Sequence, residues 1–164
     1  MVIVLAGAAG AGKTTIGRTL AETLGWPFVD ADDYHATAAV AKMRAGTALT
    51  DADRAAWLAT LHRVIATAID RRESLVLACS ALKERYRAML RGNLRGVRFV
   101  YLKASDATLR ARLASRAGHF AGPDLLDSQL ATLEEPRDAV EALTVDAASA
   151  PERIIRAIRD EYGL

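Results

Sequence analysis

Near its beginning the chain passes directly from a short apolar run, residues 2–5, into a glycine-rich octapeptide. The octapeptide matches the pattern G-x-x-x-x-G-K-S/T and reads Gly7-Ala8-Ala9-Gly10-Ala11-Gly12-Lys13-Thr14. An apolar run of this kind is typical of a strand buried on both faces. After the octapeptide, Ile16, Leu20 and Leu24 recur with helical spacing and predict a helix over 13–24. A strand, a glycine turn and a helix in this order predict a phosphate-binding loop at the start of an α/β fold.

The residue types of this loop suit a triphosphate. Small residues let successive backbone N–H groups turn inward around phosphate oxygens, and the helix N-terminus adds partial positive charge. Lys13 then reaches the β- and γ-phosphates, and the Thr14 hydroxyl binds Mg²⁺. The alternative is a Gly/Ala-rich turn with an exposed lysine. The predicted nucleotide ligands are Gly7, Ala8, Ala9, Gly10, Ala11, Gly12, Lys13, Thr14, Thr15, Arg112 and Arg116. No motif in the sequence indicates which nucleotide base is bound, and residues 145–147 are suggested as one wall of the base pocket.

Strand and helix patterns alternate along the rest of the chain. Further strands are predicted at 27–30, 74–78, 97–102 and 142–145, which with the first make five. Helices fill the gaps, and their predicted starts are a capping box of Thr50 with Asp53, N-caps at Ser80 and Ser105, and Pro151 in a first turn. This alternation predicts a parallel sheet with helices on both faces. A chain of 164 residues has room for one such domain, spanning 1–164.

Charge balance and cysteine count narrow the function classes. The 22 basic and 20 acidic side chains leave a net charge of +2, which argues against binding nucleic acid through a large basic face. The single cysteine, Cys79, allows neither an intramolecular disulfide nor a cysteine-built zinc site, and it favours a reducing compartment. No run approaches the roughly 18 apolar residues of a membrane span, and the apolar start lacks a basic n-region. We therefore expect a cytoplasmic protein with no membrane partner.

An acidic segment directly follows the second predicted strand. It contains Asp30, Asp32, Asp33 and His35. Ligands of open α/β sheets gather at the carboxyl ends of the strands, so these side chains should project into the crevice. There one carboxylate can hold Mg²⁺ through water, and another can accept a proton from an attacking hydroxyl. The alternative interpretation is an acidic turn that caps the next helix.

Two later segments carry residues that fit an acceptor. Arg54 is either a surface ion-pair partner or a planar clamp for a carboxylate or phosphate, and spacing does not decide between them. Ser80 is either a helix cap or, with Lys83, a group that faces the acceptor. Trp57 is expected in the core, and Cys79 is expected to be a buried, inert thiol.

A basic helix end leads into another glycine-containing stretch. Arg112 and Arg116 are four residues apart and share one helix face, and Gly118, His119 and Phe120 follow. A lid that carries arginine over the phosphates would exclude water and neutralise the charge that develops during transfer. A solvated basic helix end is the alternative, since arginine is abundant throughout the chain.

These segments resemble gluconokinases in order and spacing over roughly residues 5–146. The matching segments are the loop at 7–14, Asp30-Ala31-Asp32 with His35, Lys42-Met43, Gly46, Asp51-Ala52-Asp53-Arg54 with Trp57-Leu58, Cys79-Ser80-Ala81-Leu82-Lys83 with Tyr86-Arg87, Tyr101-Leu102-Lys103, Arg116-Ala117-Gly118-His119-Phe120, Leu130, Leu133-Glu134 and Pro136. Many families share the phosphate loop, whereas the segments at 79–83 and 118–120 are more specific to this one.

The resemblance implies a P-loop kinase of the nucleoside-monophosphate-kinase type with a five-stranded parallel sheet. It also implies a substrate-side helical segment at about 33–72, a lid at about 116–127, and a homodimer. The implied reaction is the ATP- and Mg²⁺-dependent phosphorylation of D-gluconate to 6-phospho-D-gluconate, which feeds the pentose phosphate pathway. Two alternatives stay open: a small-molecule kinase for another acceptor, such as a different sugar acid, shikimate or an antibiotic hydroxyl, and a nucleotide-gated binding module with little chemistry of its own.

The mechanistic hypothesis gives each candidate residue a role. Asp32 accepts the proton of the hydroxyl or orients it, while Asp30 and Thr14 help to hold Mg²⁺. The triphosphate is neutralised by Lys13, Arg112 and Arg116, of which Lys13 and Arg116 join Asp32 as catalytic candidates. The gluconate carboxylate and hydroxyls have Arg54 as the first candidate ligand; the weaker candidates are His35, Ser80, Lys83, Arg87, His119 and Gln129.

Overall fold

The computed structural model describes residues 1–45, 47, 49–115, 123–137 and 140–164. Within them lies one sheet of five strands in the order β2-β3-β1-β4-β5. Its strands are β1 (Val2–Ala6), β2 (Phe28–Asp30), β3 (Leu75–Ala78), β4 (Val97–Lys103) and β5 (Leu143–Asp146). Each strand pairs in parallel with its neighbours, which confirms the predicted sheet.

Helices cover both faces of this sheet. They are α1 (Lys13–Leu24), a short 3-10 helix (Ala31–Tyr34), α2 (Thr37–Arg44), α3 (Asp51–Asp70), α4 (Glu84–Arg91), α5 (Asp106–Ala114), α6 (Pro123–Thr132) and α7 (Pro151–Tyr162). Alternate residues of β1 point to opposite layers. Val2 and Val4 belong to the apolar cluster that includes α3 and α4, whereas Ile3 and Leu5 belong to the cluster that includes α1 and α7. The full burial of β1 explains its continuous apolar sequence.

The predicted helix starts are confirmed at two of the polar caps and wrong at a third. The Thr50 side chain accepts a hydrogen bond from the Asp53 N–H in a complete capping box, and the Ser105 side chain accepts one from Thr108. The helix expected at Ser80 instead begins at Glu84, whose N–H donates to a Glu134 carboxylate oxygen at 2.7 Å. The Glu134 side chain, which is distant in sequence, therefore caps α4 in place of Ser80.

In the part of the chain that the structure describes, no helix is both long enough and apolar enough to cross a membrane.

Candidate functional site

The glycine-rich loop joins the central strand β1 to α1. Gly7 and Gly10 have φ angles of 142° and 84°, in the left-handed region that favours glycine. A Cβ atom would lie 2.9 Å from the Leu102 carbonyl oxygen at Gly7, and 3.0 Å from the Leu109 carbonyl oxygen at Gly10. Both positions therefore require glycine for its backbone conformation and for the close approach of neighbouring backbone.

One N–H group of the loop donates a hydrogen bond to an oxygen atom of the protein itself. The backbone N–H of Ala9 donates to Oε1 of Gln129, which comes from α6, at 2.6 Å. The Lys13 ammonium donates to the Ala8 carbonyl oxygen at 3.0 Å. A loop amide that binds an amide oxygen at this distance fits a phosphate oxygen equally well.

Asp30 lies next to the first residues of α1. Its Oδ2 atom accepts a hydrogen bond from the Thr14 hydroxyl at 3.0 Å, and its Oδ1 atom accepts one from the Asp32 N–H at 3.2 Å. The second bond shows that Asp30 does cap the short 3-10 helix, as one interpretation of the segment held. The first bond brings together a hydroxyl and a carboxylate, the oxygen ligands that suit Mg²⁺, which keeps several waters.

A polar cavity of about 170 Å³ lies over the loop at the carboxyl ends of β1, β2 and β3. It is lined by Ala9, Gly10, Gly12, Lys13, Thr14, Asp30, Asp32, Ala78, Cys79, Ser80, Leu113, Leu125 and Gln129. Burial raises the pKa of the Cys79 thiol to about 12, which confirms an inert thiol. The cavity therefore joins the phosphate-binding loop to three predicted acceptor ligands, Asp32, Ser80 and Gln129.

Asp32 is the carboxylate best placed to meet an acceptor. Its side chain is 83% exposed and so remains open to an entering molecule. The protein around it still partly desolvates the carboxyl group, and this, with the charge of Asp30, raises its pKa above the usual range; Lys13 and His35 oppose the rise. A carboxylate with a raised pKa is a better proton acceptor.

His35 lies flat against Trp57 beside Asp32. The two rings are 4.3 Å apart and 12° from parallel, and the Trp57 Nε1–H donates to the Ala31 carbonyl oxygen at 2.8 Å. Burial, assisted by the charge of Arg54 and opposed by that of Asp32, lowers the pKa of His35 below its ordinary value. Trp57 is in the core, as predicted, and it also supports a candidate ligand, which no pattern in the sequence indicated.

Three cations, Arg54, Lys83 and Arg85, lie near the Tyr86 ring where α3 and α4 begin. The Arg54 guanidinium lies 5.9 Å from the centre of the Tyr86 ring, and the Lys83 ammonium lies 5.6 Å from it. Lys83 is also 3.6 Å from Asp51, whose carboxylate accepts a hydrogen bond from the Tyr86 hydroxyl. Arg54 and Lys83, which are distant in sequence, therefore share the Tyr86 ring as a neighbour, although neither lines the polar cavity.

A second cavity, of about 230 Å³, is also lined by residues of the loop. Arg112 and Thr15 line it together with Ala147, a residue of the stretch suggested for the base pocket. Arg112 donates to the carbonyl oxygen of Ala147 at 2.7 Å, and to those of Gly10 and Ala11 at 3.4 Å. Arg112 thus braces the loop from α5 at the edge of this cavity.

Arg87 does not lie in either cavity. Its side chain is 4% exposed, and it donates to the Glu141 carboxylate and to the carbonyl oxygens of Ala81, Leu82 and Glu134. These partners engage all three of its nitrogens inside the protein. We therefore correct its expected acceptor role to a structural one.

Two predicted ligands, Arg116 and His119, lie outside the described residues, as does most of the expected lid. Glu134 appears in the sequence analysis only as part of the family match and Glu141 does not appear there, so their contacts with α4 and Arg87 were not predicted. No local signal marks them, because each acts across about fifty residues of chain.

The loop, the sheet order and the polar cavity together define a P-loop kinase that transfers phosphate to a small molecule. A family model described as an AAA domain matches residues 2–139. Gluconokinase from Gluconobacter oxydans is 43% identical over 93% of this chain and 86% of its own length. The chain belongs to the gluconokinase family.

Solved structures agree with this assignment. The unliganded structure of a sugar kinase from Janibacter sp. HTCC2649 superposes with a TM-score of 0.92 at 35% identity, covering 99% of this chain and 94% of that one. A gluconokinase from Sinorhizobium meliloti 1021 superposes with a TM-score of 0.84 at 41% identity, covering 94% and 87%.

Proposed function

We propose that this protein transfers the γ-phosphoryl group of ATP to the 6-hydroxyl of D-gluconate and releases 6-phospho-D-gluconate and ADP. The observation that carries the proposal is that one cavity joins the phosphate-binding loop to Asp32. A family relative named gluconokinase supports the choice of acceptor.

The residues divide the chemistry between them. The oxygen of the gluconate 6-hydroxyl bonds to the γ-phosphorus, and the bond from that phosphorus to the β,γ-bridging oxygen breaks, which releases ADP. Asp32 accepts the proton that the 6-hydroxyl loses. Lys13 and Arg112 offset the negative charge of the triphosphate, and in-line positioning contributes most of the remaining rate. Thr14 and Asp30 would hold Mg²⁺, which when bound supplies further charge neutralisation at the phosphates.

The acceptor is a flexible polyol with a carboxylate at one end. Arg54 anchors that carboxylate with its planar fork, and Lys83 adds a second positive charge nearby. His35, Ser80 and Gln129 offer hydrogen bonds to the hydroxyls between the two ends. The roles of Arg116 and His119, the lid, the homodimer and the cytoplasmic location stay predictions.

The test is Mg²⁺-dependent ADP release measured in parallel with D-gluconate, shikimate, other aldonates and no acceptor. Product mass identifies the phosphorylated compound. We expect turnover with gluconate at a kcat/KM above about 10⁴ M⁻¹s⁻¹. ADP release only with another acceptor would contradict gluconate and keep the kinase, whereas ATP binding without stimulation by any acceptor would favour a binding module.

A further inference from the structure

One contact joins the acceptor side of the cavity to the nucleotide side. The Gln129 amide oxygen accepts the Ala9 N–H at 2.6 Å, across 120 residues of sequence. Ala9 belongs to the loop whose backbone N–H groups are arranged for phosphate oxygens. The amide oxygen of Gln129 therefore occupies a donor that a bound triphosphate would use.

The helix that carries Gln129 is itself anchored. Leu126 of α6 is fully buried in the apolar core, and Asp127 forms an ion pair with Arg110 of α5 at 2.6 Å. Beyond the helix end, the Glu134 N–H donates to the Leu82 carbonyl oxygen at 2.8 Å. These contacts hold Gln129 over the loop by helix packing, so the bond to Ala9 does not depend on the side chain alone.

We infer that Gln129 is a positioning residue that competes with the nucleotide for the loop and that a bound triphosphate displaces it. The inference rests on the proposed function, since it requires a triphosphate in the loop. A displaced Gln129 remains in the cavity that Asp32 lines, where its amide can bind an acceptor hydroxyl. Nucleotide binding then favours acceptor binding, and by reciprocity the acceptor favours the nucleotide.

The test measures the affinity of a non-hydrolysable ATP analogue by isothermal titration calorimetry, so that its readout is not activity. Gln129→Leu removes the competing oxygen at similar size, and we expect the Kd for the analogue to fall about 2- to 10-fold. Gln129→Glu places a carboxylate on the same N–H, where it binds more strongly and repels phosphate, and we expect the Kd to rise at least about tenfold. Ser128→Ala, the adjacent residue of α6, is the matched control and should leave the Kd unchanged.

The signs of these changes decide the inference. A Gln129→Leu variant that binds the analogue more weakly would make Gln129 a nucleotide ligand, and an unchanged Kd would remove any competition; either result overturns the inference. Gln129→Asn, which keeps the amide but shortens its reach, should also bind more tightly and serves if the leucine variant does not fold. A wild-type protein that fails to bind the analogue would instead contradict the proposed function.

A second readout tests the coupling. D-Gluconate should lower the Kd of the wild-type protein for the analogue, and this effect should disappear in Gln129→Leu. Coupling of equal size in both proteins would show that the acceptor acts through other residues and would overturn the coupling step.

Discussion

The two sides of the cavity are built in different ways. The phosphate-binding loop of the nucleotide side is one continuous segment, residues 7–15, whose shape follows from glycines at fixed positions. The proposed acceptor ligands instead come from separate elements: Asp32 after β2 and Gln129 on α6 line the cavity, whereas Arg54 on α3 and Lys83 before α4 lie near Tyr86 and do not line it. A short motif can specify the first, because its backbone conformation is local. The second exists only once the layers have packed, so its geometry is a product of the whole fold.

The largest expected effect tests whether Asp32, on the acceptor side, is needed for phosphoryl transfer but not for binding of the nucleotide. Asp32→Asn keeps the size of the side chain and removes the proton acceptor. We expect kcat to fall about 10²–10⁴-fold. The Kd for a non-hydrolysable ATP analogue should stay close to that of the wild-type protein. Steady-state kinetics and calorimetry on the same preparation measure both.

Asp33→Asn is the matched control for this prediction. Asp33 is the exposed neighbour of Asp32 in the same short helix and does not line the cavity. Its variant should retain the wild-type kcat within about twofold. If Asp32→Asn also keeps kcat within about threefold, Asp32 does not accept the proton, and the proposed division between the two sides breaks down.

The predictions that succeeded depend on neighbouring residues. The apolar β1, the Thr50–Asp53 box and the Ser105 cap are each decided within a few residues, so the sequence shows them directly. The polar segment at Asp30 was placed correctly because parallel strands end at one edge of the sheet.

The predictions that failed involve distant partners. A serine after a strand is a plausible cap, yet α4 begins later because Glu134 supplies the cap from another segment. An arginine in a family motif suggests a ligand, yet Arg87 is buried against Glu141. None of the helix starts predicted from the sequence corresponds to α6. Propensity and spacing contain no information about which segments will pack together.

The next prediction sharpens the comparison by separating scaffold from site. Arg87→Met removes the buried guanidinium that pairs with Glu141 and binds three backbone carbonyl oxygens, and this loss should cost about 3–5 kcal/mol of unfolding free energy. Arg87 also holds the carbonyl oxygen of Ala81, whose φ of 41° is strained for a residue with a Cβ. Urea denaturation measures the loss. At a temperature where the variant is folded, its KM for gluconate should be unchanged.

Arg85→Met provides the comparison on the same helix. The Arg85 ion pair with Asp51 is exposed to solvent, so its loss should destabilise the protein much less than the loss of Arg87. Equal destabilisation by both substitutions would show that the Arg87 network contributes no more than a surface pair. A raised KM for gluconate in folded Arg87→Met, with normal stability, would restore the original acceptor assignment.

A smaller effect is expected from the cation at the acceptor end. Arg54→Ala removes a charged hydrogen-bond donor, which is worth about 1.5–3 kcal/mol, so the KM for gluconate should rise roughly 10- to 150-fold. The KM for ATP should change much less, because the two sides bind their ligands through separate residues. Arg63→Ala, on the same helix, is the control and should change neither constant, because Arg63 lines a separate cavity with Pro27 and Leu75. Equal increases in both KM values would move Arg54 to the nucleotide side.

The smallest effect concerns the start of α3, which carries both Arg54 and Trp57. Thr50→Ala removes a cap and should lower the unfolding free energy by about 1 kcal/mol at neutral pH. The same capping box predicts a pH dependence. Hydrogen bonds from Lys42 and Thr50 hold the pKa of Asp53 at about 2, below its ordinary value of 3.8. Because the pKa of Asp53 is lower in the folded protein, these bonds stabilise the fold fully above pH 3.8, and that stabilisation is lost as the pH falls through the folded pKa. Urea titrations between pH 5 and 2 should therefore show a shallower loss of stability in Asp53→Asn than in Asp70→Asn, an exposed control at the other end of α3. Equal slopes would mean that the capping box forms without stabilising the helix, and the acceptor side would then depend on core packing alone.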